Sequence, residues 1–183
     1  MGGLSKLTPE ESDDLEMLGY SPMTYQRTVD AGLRMTRQLL GTYKLSSVVA
    51  EKVVRPGALI DEPDWAGTAD VIGVSKRESV LLVADLKTGR LAVGVERNAQ
   101  MLSYAAGALA MLSWRPTKIV TAVIQPPISS SPSVWETTPD DVEAFVEEAR
   151  QAIALINSGA DLADPTDANC RWCPCRTVCP DKK

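Results

Sequence analysis

The sequence predicts an α/β fold: a mixed central sheet of four or five strands, flanked by helices, with a cysteine-rich cap at the C-terminus. Three observations predict it. The run Val80-Leu81-Leu82-Val83-Ala84 is apolar without alternation and is bounded by Ser79 and by Thr88-Gly89, the pattern of a strand buried on both faces. Further strand-like runs at 48–54, 69–74 and 118–125 are interleaved with helical patterns. All the cysteines fall between Cys170 and Cys179, apart from the rest of the chain.

Taken in order, Thr8-Pro9-Glu10-Glu11 is a helix start, with a threonine cap and proline at the first helical position. That helix ends near Gly19. Ser21-Pro22 opens a second helix, with Tyr25, Val29 and Leu33 four apart, Leu40 further on, and Gly41 marking its end. Both are expected to pack on the sheet. The β-branched run 48–54 is a strand that carries Glu51. Pro56-Gly57 and Asp61-Glu62-Pro63-Asp64 are loops, and Trp65 after them either walls a cleft or fills the core.

The runs 69–74 and 80–87 form a hairpin around Lys76-Arg77-Glu78, which sets Asp70 and Asp85 on adjacent antiparallel strands. Glu96-Arg97 opens a helix to about Ser113. It is apolar nearly all round, hence buried, and Gln100 and Tyr104 share one face of it. The strand 118–125 is stopped by Pro126-Pro127, and the serine-rich stretch 129–133 is a loop. Thr138-Pro139-Asp140-Asp141 starts a long helix with Val142, Phe145, Val146, Ala149, Ile153 and Ile156 on one stripe, ended by Gly159.

At 183 residues the chain is read as one main domain, 1–165, and a cysteine-rich appendage, 166–183. A net charge of −5 and a pI near 4.8 exclude a bulk-basic, non-specific nucleic-acid binder. No run reaches the roughly 18 apolar residues of a membrane helix, and no signal peptide opens the chain. The clustered cysteines are no disulfide framework, so a reducing cytoplasm is expected. With no histidine, His-based catalytic dyads and His metal ligands are excluded from this chain.

Alternation with period two puts Asp85 and Lys87 on one side of their strand, and Asp70 lies beside them. A carboxylate at the end of a buried strand costs several kcal/mol unless a cation or hydrogen bonds offset it. The plain reading of Asp-x-Lys is a surface ion pair worth roughly 0–1 kcal/mol. The chemical reading is metal-assisted phosphodiester cleavage, the carboxylates holding Mg2+ or Mn2+ and the lysine orienting water. Cys170, Cys173, Cys175 and Cys179 have metal-ligand spacing, which suits a four-thiolate zinc knuckle or a [4Fe–4S] cluster.

Asp70, Asp85-Leu86-Lys87 and Gln100-x-x-x-Tyr104 resemble the PD-(D/E)XK nuclease superfamily in its RecB-like exonuclease branch. That branch includes the CRISPR-adaptation exonucleases and a phage-encoded family. The wording Gly67-Thr68-Ala69-Asp70, Asp85-Leu86-Lys87-Thr88-Gly89 and Asn98-Ala99-Gln100-Met101-Leu102 is most similar to the phage family, and the similarity runs from about Glu51 to Pro180. The resemblance implies a restriction-endonuclease-like core. It also implies a Mg2+- or Mn2+-dependent exonuclease on single-stranded or free-ended DNA, in phage recombination or replication, with the proteins of those processes as partners. Asp70, Asp85 and the Leu86 carbonyl are then the metal contacts, Glu51 assists them, and Lys87 positions the attacking water. Gln100 supports Lys87 or the scissile phosphate, and Tyr104 contacts nucleic acid.

The resemblance further implies an iron–sulfur cluster on Cys170, Cys173 and Cys179 with a fourth, upstream cysteine. Here Cys175 is the available fourth ligand, a local site that zinc also suits, and Arg171, Trp172 and Arg176 are expected to face DNA. Relatives also carry a metal-binding histidine in an N-terminal helix, and the chain is expected to begin after both it and the upstream cysteine. Three readings stay open: one-metal catalysis, a segment supplied by another chain, or a weakened relative. The alternative function is a DNA-binding or assembly module that keeps the nuclease fold without turnover.

Overall fold

Among the described residues, five strands form one sheet in sequence order: β1 (Ser47–Val54), β2 (Gly67–Ser75), β3 (Val80–Leu86), β4 (Lys118–Ile124) and β5 (Ser133–Thr137). The computed structural model describes residues 8, 9, 17, 21–159, 166–171 and 173–181. By packing, the chain divides into two units, Met1–Val146 and Glu147–Lys183, the first of which holds the whole sheet. The helix expected from Thr8 to Gly19 lies largely outside the described residues.

The sheet is mixed, as the sequence predicts. β1, β2 and β3 run antiparallel, β3 and β4 are parallel, and β4 and β5 are antiparallel again. A parallel pair needs a crossover connection, and the helix α2 (Ala99–Ala110) supplies it. In β3, Val80 to Ala84 are all buried, as an unbroken apolar run demands. Leu81 and Val83 enter one core cluster with Met101, Leu102, Ala105, Ile119 and Val123. Leu82 and Ala84 enter the other, with Met35, Leu39, Val120 and Ile124. Each large side chain so buried contributes roughly 1.5–3 kcal/mol.

Helix α1 (Pro22–Thr42) starts where predicted, with Ser21 as its cap: its Oγ accepts the Thr24 N–H at 3.2 Å. Its buried face differs from the predicted stripe. Met35 and Leu39 are buried, whereas Tyr25 and Leu33 are exposed. The reason is Gly32, which comes so close to the sheet that a Cβ there would stand 3.3 Å from Leu86 Cδ1. The helix turns its small residue and the two residues that follow its phase toward the strands, and the four-residue spacing of Tyr25, Val29 and Leu33 falls to one side.

Helix α2 begins three residues later than Glu96, because the Asn98 side chain caps it by accepting the Met101 N–H at 3.2 Å. It is buried along Met101, Leu102, Ala105, Ala106, Gly107 and Ala108, while Met111 beyond its end is exposed. Helix α3 (Pro139–Asn157) opens on a reciprocal cap in which Asp141 accepts from Thr138 N–H and Asp141 N–H donates to Thr138 Oγ1. Val142 and Val146 are buried, but Ile156, on the same predicted stripe, is exposed. A short helix, α4 (Asp167–Cys170), leads into the cysteine run.

Two features were not predicted. Pro56–Leu59 forms a single 3-10 turn, and Ser133–Thr137, next to the serine-rich loop, is the edge strand β5. Trp65 is half-buried and packs against the core: it stands edge-on to Phe145 at 6.1 Å between ring centroids and its indole N–H donates to Ser103 Oγ at 3.3 Å. No helix among the described residues is long and apolar enough to cross a membrane.

Candidate active site

The C-terminal end of β3 gathers the polar groups. Asp85 is 4% exposed in a strand otherwise made of apolar residues, and it aligns with Val123 of β4. The ladder continues one step past the strand, where Lys87 N–H donates to the Ile124 carbonyl at 2.8 Å, so the lysine backbone is fixed. Alternation then returns the lysine side chain to the face of Asp85, and Nζ stands 2.8 Å from Asp85 Oδ2. The contact is an ion pair outside hydrogen-bond alignment, which leaves Oδ2 buried with no aligned donor.

Helix α2 closes the group from above. Gln100 Oε1 accepts from Lys87 Nζ at 2.9 Å, and Gln100 Nε2 lies 3.3 Å from Asp85 Oδ1 and 2.9 Å from the Tyr104 hydroxyl. The i,i+4 spacing of Gln100 and Tyr104 is what lets one amide reach both the strand end and the next turn of its own helix. Tyr104 lies against the start of β2, where Gly67 makes room: a Cβ there would meet its Cε1 at 2.6 Å.

Asp70 reaches the same end from β2. The last paired residues are Val71 and Ala84, so the next step sets Asp70 across from Asp85. Its Oδ2 accepts the Leu86 N–H at 2.6 Å. Glu51 is placed differently. Pairing on either side of it, Ala50 with Val71 and Lys52 with Ala69, leaves it across from Asp70, but its φ of 50° takes it out of strand geometry and its side chain is exposed. Burial pushes the Asp85 carboxyl above its ordinary range; Lys87 pulls it back, and the Asp70 charge pushes it further up.

Among the described residues, no three His, Cys, Asp or Glu side chains converge on a point where an ion could sit. The carboxylates that the strand pairing brings to the β3 end are those of Asp70 and Asp85. The buried Asp85 Oδ2, without an aligned donor, faces the Lys87 ammonium at 2.8 Å, so a metal ion bound there would share that oxygen with the lysine. Such a set suits Mg2+ or Mn2+, which keep several waters and take few protein oxygens.

In the second unit, Cys170 is buried, Cys173 and Cys175 are exposed, and Cys179 is half-buried, all as free thiols. Successive turns (Cys173 N–H to Cys170 carbonyl, Arg176 to Cys173, Val178 to Cys175) hold the run together. The sulfurs are right in kind and number for a cluster or zinc, but they are not gathered as a ligand set. Arg171 and Arg176 are exposed, and Trp172 lies outside the described residues.

One residue that binds the connection following Lys87 escaped the sequence reading. Gln125, buried at 5% exposure, donates to the carbonyls of Gly89 and Leu91, both at 2.8 Å, and accepts the Val93 N–H at 3.1 Å. The signal was a glutamine closing an apolar strand just before Pro126-Pro127.

None of the curated proteins compared matches the chain. Among solved structures, the crystal structure of SSO0001 is similar at 19% identity, over 95% of this chain and 79% of that one, with a TM-score of 0.43. Residues 10–183 match the family described as "Protein of unknown function (DUF2800)", and the chain belongs to that family.

Proposed function

We propose that the protein is a metal-dependent nuclease of the PD-(D/E)XK type, acting on single-stranded or free-ended DNA, in phage recombination or replication. The observation that carries the reading is the convergence of Asp70, Asp85 and Lys87 at one strand end, with Gln100 holding the lysine. Asp70, Asp85 and the Leu86 carbonyl would hold Mg2+ or Mn2+, with Glu51 across the strand from Asp70. The ion, when bound, supplies Lewis-acid polarisation of the scissile phosphate and lowers the pKa of a water. Lys87 orients that water and offsets charge that develops on the phosphate. Gln100 keeps the ammonium in place through Oε1, and Tyr104 presents its ring and hydroxyl to the nucleic acid beside it.

The site is open, which suits a polymer. Leu86 and Gln100 are exposed and the Lys87 side chain is 28% exposed. A cavity of about 440 Å³ lies elsewhere, beside Leu109, Trp114 and Val142, and none of the site residues lines it. The cysteine run belongs to the same proposal as a structural metal site, iron–sulfur or zinc, and no chemical step runs through it. Metal analysis and the visible spectrum of protein purified without oxygen separate the two.

The test is cleavage of end-labelled single-stranded DNA with Mn2+, Mg2+ or EDTA. Short products that need metal and vanish in Lys87→Ala support the reading; no product with any metal overturns it. One observation favours a second reading, a DNA-binding or assembly module without turnover: among the described residues no third carboxylate joins Asp70 and Asp85, and the Lys87 ammonium already pairs with Asp85. DNA binding without cleavage would establish that module.

A further inference from the structure

The segment from Thr88 to Arg97 joins Lys87 to helix α2, and so links the lysine to Gln100. It has no helix or strand of its own, and most of it is exposed. Such a segment wanders unless its backbone polar groups find fixed partners. Three of them find the same one: the Gly89 carbonyl, the Leu91 carbonyl and the Val93 N–H are all bound by the Gln125 amide. Both hydrogens and the oxygen of that amide are used. Gln125 is itself held one residue past the end of β4, next to Ile124, whose carbonyl takes the Lys87 N–H.

We infer that Gln125 is a positioning residue for the proposed nuclease site: it fixes the 88–97 connection and thereby holds Lys87 between Asp85 and Gln100. The inference rests on the reading of Lys87 as the residue that orients water. Burial makes the clamp stiff, because an amide at 5% exposure has little water at hand to replace its three partners. Val93 and Val95, which pack against the core cluster, hold the far side of the same segment. A site residue carried on an otherwise irregular connection gains its precision from such a support.

The test compares wild type with Gln125→Ala and Gln125→Glu. The glutamate keeps the shape and the acceptor for Val93 but cannot donate to the Gly89 and Leu91 carbonyls, so it serves if the alanine variant fails to fold. The direct reading is the acetylation rate of each lysine under limiting reagent, followed by peptide mass spectrometry. Lys87 is expected to react at least threefold faster in either folded variant, with Lys76 and Lys118 unchanged, and the Val93 amide to exchange about tenfold faster. In Mn2+-dependent cleavage, kcat should fall about tenfold with KM for DNA within threefold. Unchanged Lys87 reactivity overturns the inference, as does faster reaction with unchanged kcat. If wild type cleaves no DNA, the nuclease reading falls, and the Lys87 rate still decides whether Gln125 holds the lysine.

Discussion

Asp70 and Leu86 meet across the β2–β3 ladder just where its pairing ends: the carboxylate Oδ2 accepts the Leu86 N–H at 2.6 Å. The side chain thus takes the place of the next backbone acceptor and holds the strand end shut. Asp70→Ala should release the Leu86 amide, lower stability by about 1 kcal/mol, and abolish metal-dependent cleavage. Hydrogen exchange at Leu86, urea unfolding and the DNA assay read the three effects separately. An unchanged exchange rate would show that the contact does not close the strand.

Asp85 is a buried carboxylate whose Oδ2 lacks an aligned donor, a feature that serves binding at a cost in stability. Asp85→Asn removes the buried charge and keeps the shape. In EDTA it should unfold at higher urea, by about 1 kcal/mol, while cleavage drops by roughly 10³-fold. A variant both less stable and still active would contradict this account.

Two glycines in helices make opposite predictions. A Cβ on Gly107 of α2 would meet Val54 Cβ at 2.7 Å and the Arg55 backbone nitrogen at 3.0 Å, whereas one on Gly41 of α1 meets nothing within 4 Å. Gly107→Ala should therefore destabilise by about 1–3 kcal/mol in spite of the better helix former. Gly41→Ala should stabilise by about 0.5–1 kcal/mol. Thermal melts of the pair check both signs.

On the face away from the site, Glu136 of β5 accepts from the Tyr43 hydroxyl at 2.9 Å and pairs with Lys118 at 2.6 Å. The Lys118 contact first, then the tyrosine bond, hold the glutamate below its ordinary range. Burial, the hydrogen bond and the glutamate charge push Tyr43 up to about 12. A depressed carboxylate stabilises above its unfolded pKa, about 4.3, and that stability is lost as pH falls through the folded value. Glu136→Gln should cost about 0.5 kcal/mol at neutral pH, the scale of an exposed pair, with the difference vanishing in acid. Urea midpoints at pH 7 and pH 3 provide the check.

How far the sequence was legible depends on what each residue needed. The strand β3 and the shared side of Asp85 and Lys87 follow from local rules of burial and alternation, and both could be read directly. So could the i,i+4 pair on α2. The buried face of α1 could not, since it is set by how closely Gly32 approaches Leu86, a fact of tertiary packing. β5 has only one buried residue, Thr137, and an edge strand with so little apolar pattern resembles a loop. Gln125 was hidden for a different reason: its partners are backbone groups far away in sequence, and no spacing encodes them.

The parallel pairing of β3 and β4 also makes the candidate site depend on a long connection. β1, β2 and β3 form a meander whose contacts are local, so they can close early. β4 pairs with β3 across the whole stretch from Lys87 to Thr117, which passes through α2 before it returns to the sheet. Lys87, Gln100 and Gln125 stand at the start, middle and far side of that loop. The carboxylates of Asp70 and Asp85 sit in the antiparallel part of the sheet, whereas the anchor of the Lys87 N–H is the Ile124 carbonyl of β4, so the candidate site is complete only where β4 is paired.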